Sequence, residues 1–267
     1  MKNKVVVITG ASSGIGRALA IEFASKGVRL SLGARRIELL EKLQSELPGT
    51  EILIQKTDVA IENDCHQLME ETIKRFGQID ILINNAGISM RALFEEVDLK
   101  VIRQLMEVNF YGTVYCTKYA LPYLLKTKGS LVGVISIAGY VGLPGRTGYS
   151  ASKFAIRGFL DSLRIENLKK GLHVLVAAPG FTASEVRKVA LTTNGTRQGE
   201  TPRDESKMMS SEECARHIVD AVQKRKRELI LTFTEGKLTV FLGKWLPSLL
   251  DKLTYNHMAK EPNSPFK

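Results

Sequence analysis

The 267-residue sequence predicts a single α/β domain, built on a doubly wound parallel sheet of seven strands with helices on both faces. Short apolar runs rich in β-branched residues alternate with longer segments of helical periodicity. The first of these runs leads directly into a glycine-rich turn. Small or polar residues follow several later runs, at the sheet edge where parallel α/β domains bind ligands.

The first strand, Val5 to Thr9, leads into a turn with the spacing G-x-x-x-G-x-G, and a helical pattern follows. Gly10 allows a tight turn, Gly14 lets the backbone approach a pyrophosphate, and Gly16 lets the helix pack closely on the strand. Unpaired N–H groups at the helix start favour phosphates. A purely structural turn is the alternative, which the flanking strand and helix disfavour. The predicted dinucleotide contacts are Gly10, Ser12, Ser13, Gly14, Ile15 and Gly16.

The second predicted strand, Arg29 to Gly33, is followed by Ala34 and a pair of arginines. An acidic residue at this point would bind the ribose 2′-hydroxyl of NAD(H). Arg35 and Arg36 can instead bind the 2′-phosphate of NADP(H) through charge-assisted hydrogen bonds. The sequence therefore favours NADP(H) over NAD(H). The alternative is that both arginines simply begin the helix from Ile37 to Leu47 and lie in solvent.

The third and fourth predicted strands, Ile52 to Lys56 and Gln78 to Ile83, end at positions suited to the adenosine. Asp58 can accept a hydrogen bond from an adenine amino group, or it can cap a helix that begins at Ile61. The turn Asn84-Asn85-Ala86-Gly87 has small side chains, which leave room for the adenosine. The predicted contacts in this region are Asp58, Val59, Asn85, Ala86 and Gly87.

A long helical pattern runs from Asp98 to Tyr119 and contains Asn109 in its interior. Asparagine is a mediocre residue inside a helix, because its amide competes for backbone groups. One interpretation is that Asn109 distorts the helix and positions a water molecule in a proton relay. The alternative is an ordinary surface asparagine.

The fifth predicted strand, Ser130 to Ile135, delivers Ser136 to the same sheet edge, and a loop leads on to Tyr149. If residues 149–170 are helical, Tyr149 and Lys153 lie on one face at i and i+4. An ammonium beside a phenol lowers the phenol pKa from its usual value of about 10. Tyr149 could then move a proton while Ser136 binds the substrate oxygen, which is chemistry for interconverting an alcohol and a carbonyl. Alone, this Tyr/Lys pair is more typical of an ordinary amphipathic helix.

The sixth predicted strand, His173 to Ala178, ends in a turn that can reach the nicotinamide end of a dinucleotide. The predicted contacts in this turn are Pro179, Gly180, Thr182 and Ser184. Residues 185–209 are polar, basic and weakly structured, as in mobile lids over substrate pockets. Ser210 begins a capping box for a helix from Glu212 to Lys224, and Glu228 to Phe233 is predicted to be the seventh strand.

Residues 236–267 lie beyond the predicted domain of residues 1–235 and form an amphipathic extension. Pro247 and interspersed lysines exclude a membrane-spanning helix in this extension. Its apolar face and basic flanks suit packing on its own domain, on another subunit, or on a membrane surface. All three placements are open on the sequence alone.

The composition is that of a soluble globular protein, with 44% hydrophobic and 25% charged residues. The first residues run straight into the first strand without a secretory pattern, so we expect a cytoplasmic location. The cysteines and histidines are scattered, so we expect neither a disulfide framework nor a bound metal. The net charge of +10 is spread along the chain without a nucleic-acid-binding module, and we expect no nucleic-acid partner.

Taken together, these motifs resemble those of the short-chain dehydrogenase/reductase family. The resemblance covers about residues 4–234 and rests on Thr9-Gly10-x-x-x-Gly14-Ile15-Gly16, Asn84-Asn85-Ala86-Gly87, Asn109, Ser136, Tyr149-x-x-x-Lys153 and Pro179-Gly180. It implies a Rossmann-like fold and a nicotinamide dinucleotide. It also implies that Tyr149 is the acid/base, that Lys153 lowers its pKa and holds the ribose hydroxyls, that Ser136 orients the carbonyl and that Asn109 orients the relay water.

Arg35 falls at the position of the phosphate-binding arginine of NADP-preferring members of this family. Two departures weaken the match. Ser13 stands where some NADP-preferring members have a basic residue, and Ser184 stands where threonine is common. Family members are commonly dimers or tetramers, so the resemblance also implies a homodimer or homotetramer.

We therefore expect an NADP(H)-dependent oxidoreductase that interconverts the carbonyl and the secondary alcohol of an apolar small-molecule substrate. The alternatives are a non-catalytic dinucleotide-binding sensor or scaffold, and a ketoreductase for lipids that lies on a membrane surface.

Overall fold

The structure is a computed structural model that describes residues 1–183, 189–199, 208–260, 264 and 266. It contains seven strands in these residues. They are β1 (Val5–Thr9), β2 (Arg29–Ala34), β3 (Ile52–Lys56), β4 (Ile81–Asn84), β5 (Ser130–Val134), β6 (His173–Ala178) and β7 (Glu228–Ile230). All are parallel and form one seven-stranded sheet in the order β3-β2-β1-β4-β5-β6-β7. This arrangement confirms the predicted doubly wound fold.

The helices connect these strands and cover both faces of the sheet. They are α1 (Gly14–Ala24), α2 (Ile37–Ser45), α3 (Glu62–Phe76), α4 (Leu99–Leu105), α5 (Gly112–Lys126), α6 (Thr147–Glu166), α7 (Ser211–Gln223), α8 (Thr239–Trp245) and α9 (Pro247–Ala259). Two π-helical segments, Met106–Tyr111 and Phe233–Leu238, and two 3₁₀ segments, Ile137–Gly139 and Leu168–Lys170, complete the described structure. The predicted helix from Asp98 to Tyr119 is therefore divided, and it continues to Lys126.

The centre of the sheet is β1, which lies between β2 and β4. Val6 is in register with Leu30 of β2 on one side and with Ile81 of β4 on the other. The residues Val5–Ile8 are wholly buried, because a parallel sheet is covered on both faces. The strand order reverses between β1 and β4, and ligands of such sheets bind in the crevice at this point.

Apolar side chains form one packed layer on each face of the sheet. Helices α1, α2 and α7 bury residues such as Phe23, Leu40 and Ile218 against one face. Helices α3, α5 and α6 bury residues such as Leu68 and Leu160 against the other. The carboxyl ends of all strands are thereby held at one edge, which is where the predicted site residues follow.

The last strand is shorter than the predicted span from Glu228 to Phe233. Pairing between β7 and β6 ends at Ile230, and Thr232 has a left-handed backbone with φ of 65°. This conformation is unfavourable for a β-branched residue and ends the extended run. The chain then enters the π-helical segment Phe233–Leu238.

Residues 189–199 form a small hairpin, although the sequence predicted weak structure throughout residues 185–209. Leu191 pairs antiparallel with Arg197, and its N–H donates to the Ser89 carbonyl at 2.8 Å. Leu191 also bridges Met90, so the hairpin is fixed to the segment that follows β4. Residues 185–188 and 200–207 lie outside the described residues, and a role as a lid stays a prediction.

The C-terminal helices α8 and α9 pack on the segment between β5 and α6. A Cβ atom at Gly243 of α8 would lie 2.6 Å from Val141 Cγ1 and 3.2 Å from Leu250 Cδ2. Met258 of α9 is buried, with 5% of its surface exposed. Within the described part of the chain, no helix is long and apolar enough to cross a membrane.

The close packing at the glycine-rich turn yields a stability prediction. A Cβ atom at Gly16 would overlap the Gly10 carbonyl oxygen, so Gly16→Ala should lower the free energy of unfolding by about 1–3 kcal/mol. At Gly158, in the middle of α6, an added methyl group would have no other atom within 4 Å, so Gly158→Ala should raise that free energy by about 0.5–1 kcal/mol. Urea unfolding measures both changes. Equal stabilisation by the two alanines would mean that the turn can relax around a side chain.

Candidate active site

The glycine-rich turn has the geometry of a cradle for a phosphate group. Gly10 and Gly14 have positive φ angles of 66° and 52°, which glycine adopts without strain. Helix α1 begins at Gly14, and Ile15 and the buried Gly16 belong to its first turn. Ser13 is the N-cap residue of α1, but its side chain makes no capping bond to the helix. The N–H groups of the first turn are therefore not capped by Ser13 and suit an anionic ligand.

Thr9 joins this turn to the turn after β4, a role that the sequence analysis missed. The Thr9 hydroxyl oxygen accepts from the N–H groups of Asn85 and Ala86, both at 3.1 Å. The Asn85 side-chain amide donates back to the carbonyl oxygens of Thr9 and Gly10 at 3.0 and 3.3 Å. Asn85 thus fixes the shape of the predicted dinucleotide cradle. The signals in the sequence were a polar residue at the end of a buried apolar strand and its place directly before Gly10 in the glycine-rich motif.

The two arginines after β2 occupy different places. Arg36 donates to the hydroxyl oxygen of Ser13 at 2.8 Å and to that of Ser12 at 3.4 Å. This brings a guanidinium group to the start of α1 and makes that end of the cradle more positive. Arg35 is exposed beside it. The buried Ala34 supplies no carboxylate at this point.

Asp58 and Val59 follow β3 on the same edge of the sheet. The Asp58 carboxylate accepts from the Ala60 N–H at 3.1 Å, ahead of α3. The N-cap residue of α3 is Ile61, which makes no side-chain capping bond. The prediction that Asp58 caps the helix is therefore wrong, because its bond closes the preceding turn instead. Val59 is buried against Gly112, the first residue of α5.

Lys153 carries a buried ammonium group at the centre of the site. Its Nζ donates to the Val134 carbonyl oxygen at the end of β5, at 3.0 Å. Nζ also lies 5.7 Å from the centre of the Tyr149 ring, so the predicted pair shares one face of α6. Burial lowers the pKa of Lys153 to about 8. Among the described residues no carboxylate pairs with this ammonium, which retains donors for further acceptors.

Asn109 lies inside the π-helical segment Met106–Tyr111 and is wholly buried, so the surface alternative is wrong. Its Oδ1 accepts from the Ile88 N–H at 2.8 Å, and its Nδ2 donates to the Ile88 carbonyl at 3.0 Å. The helix is distorted at this point, as one interpretation required. The side chain fixes the backbone just after Gly87. At Gly87 itself, a Cβ atom would lie 3.1 Å from Asn109 Oδ1 and 3.5 Å from Lys153 Nζ.

Ser152 links Asn109 to the helix that carries the Tyr/Lys pair, and the sequence analysis missed it. Asn109 Nδ2 donates to the Ser152 hydroxyl oxygen at 2.9 Å, and that hydroxyl donates to the Tyr149 carbonyl at 2.7 Å. These bonds fix α6 relative to the π-helical segment. A small polar residue between Tyr149 and Lys153 was the available signal, but its partner lies 43 positions earlier in the chain.

Ser136 follows β5, as predicted, and stands at the start of the 3₁₀ segment Ile137–Gly139. Its hydroxyl oxygen accepts from the Ala138 N–H at 3.2 Å. Because this bond uses an oxygen lone pair and not the proton, the hydroxyl can still donate to a ligand. The structure therefore places Ser136, Tyr149 and Lys153 on the same edge of the sheet.

Tyr140 holds the segment after Ser136 against α6, which was not apparent from the sequence. Its hydroxyl donates to Glu228 of β7 at 2.6 Å. The Arg157 guanidinium carbon lies 3.8 Å from the centre of the Tyr140 ring. Burial and the bond to Glu228 both raise the pKa of Tyr140, so its hydroxyl stays protonated. The Tyr140 side chain thereby connects β7, α6 and the segment that carries Ser136.

The turn after β6 completes the edge. Pro179 is buried, and Gly180 lies so close to Thr232 that a Cβ atom there would be 2.5 Å from its hydroxyl oxygen. Thr182 is buried and pairs with Met209 ahead of α7. Ser184, the remaining predicted contact in this turn, lies outside the described residues.

Comparison with known proteins agrees with this geometry. A family model described as short chain dehydrogenase matches residues 4–195. The chain belongs to the short-chain dehydrogenase/reductase family. This membership confirms the resemblance and identifies the protein as a member of an oxidoreductase family.

Relatives in this family span most of the chain. It is 34% identical over 271 residues to dehydrogenase/reductase SDR family member 7B of Mus musculus, covering 99% of this chain and 84% of that relative. It is 41% identical over 189 residues to 11-beta-hydroxysteroid dehydrogenase A of Arachis hypogaea, covering 69% of this chain and 54% of that relative. An alcohol dehydrogenase from the archaeon Thermococcus sibiricus, solved with 5-hydroxy-NADP, has a TM-score of 0.75 at 28% identity, covering 86% of this chain and 96% of that chain.

The buried ammonium yields a prediction on pH and stability. Below pH 8 Lys153 is charged in both the folded and the unfolded chain, and the folded chain carries the whole penalty of burial. Between pH 8 and 10.5 the folded chain loses the proton first, so this penalty disappears as the pH rises. Lys153→Met should therefore be more stable than wild type at neutral pH, and its advantage should shrink by about 2–3 kcal/mol toward pH 10.

Chemical unfolding across this pH range, without added dinucleotide, measures the difference. Lys118→Met removes an exposed lysine of α5 and controls for the loss of a surface charge. An advantage of Lys153→Met that stays constant with pH would mean that water reaches the Lys153 ammonium.

Proposed function

We propose that this protein is an NADP(H)-dependent oxidoreductase that interconverts a carbonyl group and a secondary alcohol. The observation that carries the proposal is the buried Lys153 ammonium, which lies beside the Tyr149 ring on one face of α6. Structural ion pairs do not explain this ammonium, since its bond is to a backbone carbonyl. A buried cation next to a phenol suits proton transfer by that phenol.

In the proposed reaction, each side chain of the site has a separate role. In the reductive direction the Tyr149 hydroxyl donates its proton to the substrate oxygen, while the Ser136 hydroxyl donates a hydrogen bond to the same oxygen. The Lys153 ammonium stabilises the phenolate that remains and binds a ribose hydroxyl of the dinucleotide. Asn109 and Ser152 keep these groups in place, and Asn109 also orients a relay water. When bound, the dinucleotide supplies or accepts the hydride.

The cofactor preference rests on the edge between β2 and α1. Arg36 already contacts Ser12 and Ser13 of the glycine-rich turn, and Arg35 stands exposed beside it. No carboxylate ends β2, where an acidic residue would bind the 2′-hydroxyl of NAD(H). The Thermococcus sibiricus relative was solved with an NADP derivative, which agrees with this preference. The Arg36–Ser13 contact points to Arg36 as a partner of the 2′-phosphate along with Arg35.

An apolar substrate suits the described surroundings of the site. Val141 and Leu143 belong to the segment between Ser136 and Tyr149, and both contribute to the apolar layer there. The Arachis hypogaea relative bears the name of a hydroxysteroid dehydrogenase, and a steroid is a large apolar molecule. We propose a bulky apolar ketone or its alcohol.

The protein also has an exposed apolar surface suited to assembly. Tyr111, Phe154, Ile165 and Leu168 are between 41% and 73% exposed along or near α5 and α6. Exposed apolar residues on adjacent helices favour burial against another subunit. We propose a homodimer or homotetramer built on this surface, and a cytoplasmic location stays a prediction.

Tyr149→Phe tests the acid/base assignment. The substitution removes one oxygen atom, so we expect turnover of carbonyl substrates to fall by about 10³-fold while NADPH affinity stays within twofold of wild type. The decrease in NADPH absorbance with a panel of aromatic and steroid ketones measures turnover. Tyr123→Phe, at the opposite end of α5 from the site, should leave it unchanged. Near-full activity of Tyr149→Phe would refute the assignment.

Fluorescence titration with NADPH and NADH tests the cofactor preference. Loss of a charge-assisted hydrogen bond corresponds to about 10–100-fold weaker binding, so Arg35→Ala and Arg36→Ala should each weaken NADPH binding by that factor. NADH binding should hardly change, because NADH lacks the 2′-phosphate. Arg75→Ala removes an arginine from the end of α3, at the opposite edge of the sheet, and serves as the control. Tighter wild-type binding of NADH than of NADPH would contradict the preference.

A further inference from the structure

Helices α8 and α9 leave two rows of large apolar side chains in solvent. Leu238, at the end of the π-helical segment, and Phe241 and Trp245 of α8 recur at i, i+3 and i+7. Leu246, between the two helices, and Leu249 and Leu253 of α9 repeat this spacing. Side chains at this spacing share one face of a helix. We call these six residues the tail face. Their exposed fractions run from 37% for Leu238 to 62% for Trp245.

These helices are attached to the domain by their other sides. Val240 and Leu250 pack against the apolar layer of the domain, and Met258 is buried. Gly243 allows the close approach of Val141 and Leu250. The tail face is therefore presented on helices that are already packed, and its exposure does not come from an unfolded end of the chain.

The charges around the tail face are mostly positive. Between Glu235 and Lys260 the chain has four lysines and two acidic residues, within a protein of net charge +10. The Lys244 ammonium lies 5.0 Å from the centre of the Trp245 ring. Apolar side chains bordered by lysines match the boundary between lipid tails and anionic headgroups, and tryptophan favours that boundary. A second copy of this face would place the same lysines opposite one another.

A cleft lies between α9 and the loop that precedes α6. It has a volume of about 670 Å³ and lies between Gly142 and Pro144 on one side and Asp251, Thr254 and Tyr255 of α9 on the other. Gly142 and Pro144 belong to the connection that joins Ser136 to Tyr149. Asp251 follows Leu249 by two positions and Tyr255 follows Leu253 by two, so the cleft lies on the opposite side of α9 from the tail face.

We propose that the tail face docks on the surface of an anionic phospholipid bilayer. The apolar rows enter the boundary between headgroups and lipid tails, and the lysines contact lipid phosphates. Resting on the proposed function, the consequence for catalysis is that docking brings the enzyme to a surface in which apolar ketones are concentrated. Docking itself requires no activity, so the two proposals can fail separately.

Trp245 is the only tryptophan of the chain and lies within the tail face, so its fluorescence reports docking directly. With vesicles of phosphatidylcholine and phosphatidylserine, we expect the emission of the full chain to shift to shorter wavelength and the protein to co-sediment. Raised salt should reverse part of the binding, because screening weakens the contact of lysines with headgroups. Vesicles of phosphatidylcholine alone should bind at least about 10-fold more weakly.

A double variant tests whether vesicle binding depends on the tail face or on nonspecific adsorption of exposed apolar residues. Leu249→Ser combined with Leu253→Ser keeps Trp245 as the reporter and should weaken vesicle binding by about 10-fold or more. Phe94→Ser combined with Leu99→Ser removes residues of greater exposure, 63% and 60%, just before and at the start of α4. This control pair should leave vesicle binding unchanged. Circular dichroism and NADPH binding of each variant check that the domain is folded.

Failure to bind anionic vesicles, or equal binding by both double variants, would overturn the docking proposal. A dimer in sedimentation velocity that is lost only with Leu249→Ser and Leu253→Ser would also overturn it, since the face would then bind a second copy. If the protein turns over a water-soluble ketone but does not bind vesicles, the docking proposal is refuted and the proposed function is supported. Vesicle binding without turnover of any ketone would support docking and remove the proposed function.

Discussion

A charged amine, held in the interior by one backbone carbonyl and without a carboxylate partner among the described residues, is the constraint on which this structure depends. Burying an ammonium is unfavourable unless its surroundings are rigid and polar enough to hold it. Here Val134 supplies the acceptor, and the Asn109–Ser152–Tyr149 bonds fix the helix that carries the amine. The π-helical turn places Asn109 for this role. These contacts hold the amine 5.7 Å from the centre of the Tyr149 ring.

The glycine-rich turn is likewise held by hydrogen bonds between segments that are distant in the chain. The Thr9 hydroxyl accepts from two successive N–H groups of the turn after β4, and Asn85 returns bonds to the first turn. Each of the two turns is held in its conformation by hydrogen bonds to the other. Arg36 then adds positive charge at one end of the cradle by bonding to Ser13. Asn109 then binds the backbone of Ile88, three residues after Asn85, so the turn after β4 contacts both the glycine-rich turn and the π-helical segment.

The fold could be predicted, because parallel strands are continuous β-branched runs. The location of the candidate site residues at one edge of the sheet could be predicted too, because ligands of such sheets bind at the carboxyl ends of the strands. Contacts between residues that are far apart in the chain could not be predicted. The Tyr140–Glu228 bond joins residues 88 positions apart, and no local pattern records it. The hairpin at residues 189–199 depends on pairing with Met90, so its polar sequence alone predicts a loop. Likewise the left-handed Thr232 shortens β7 because it meets Gly180, whereas its own sequence favours a strand.

The position of β1 in the middle of the sheet has a consequence for folding of the chain during synthesis. It is the first strand to leave the ribosome, yet one of its neighbours, β4, is made 75 residues later, as the bond between Val5 and Asp80 shows. Until then one edge of this buried, mostly apolar strand has no partner. Sheets closed by such distant pairings form slowly, and their half-made edges are prone to aggregation. Newly made chains of this protein should therefore depend on chaperones most strongly before Asn84 emerges.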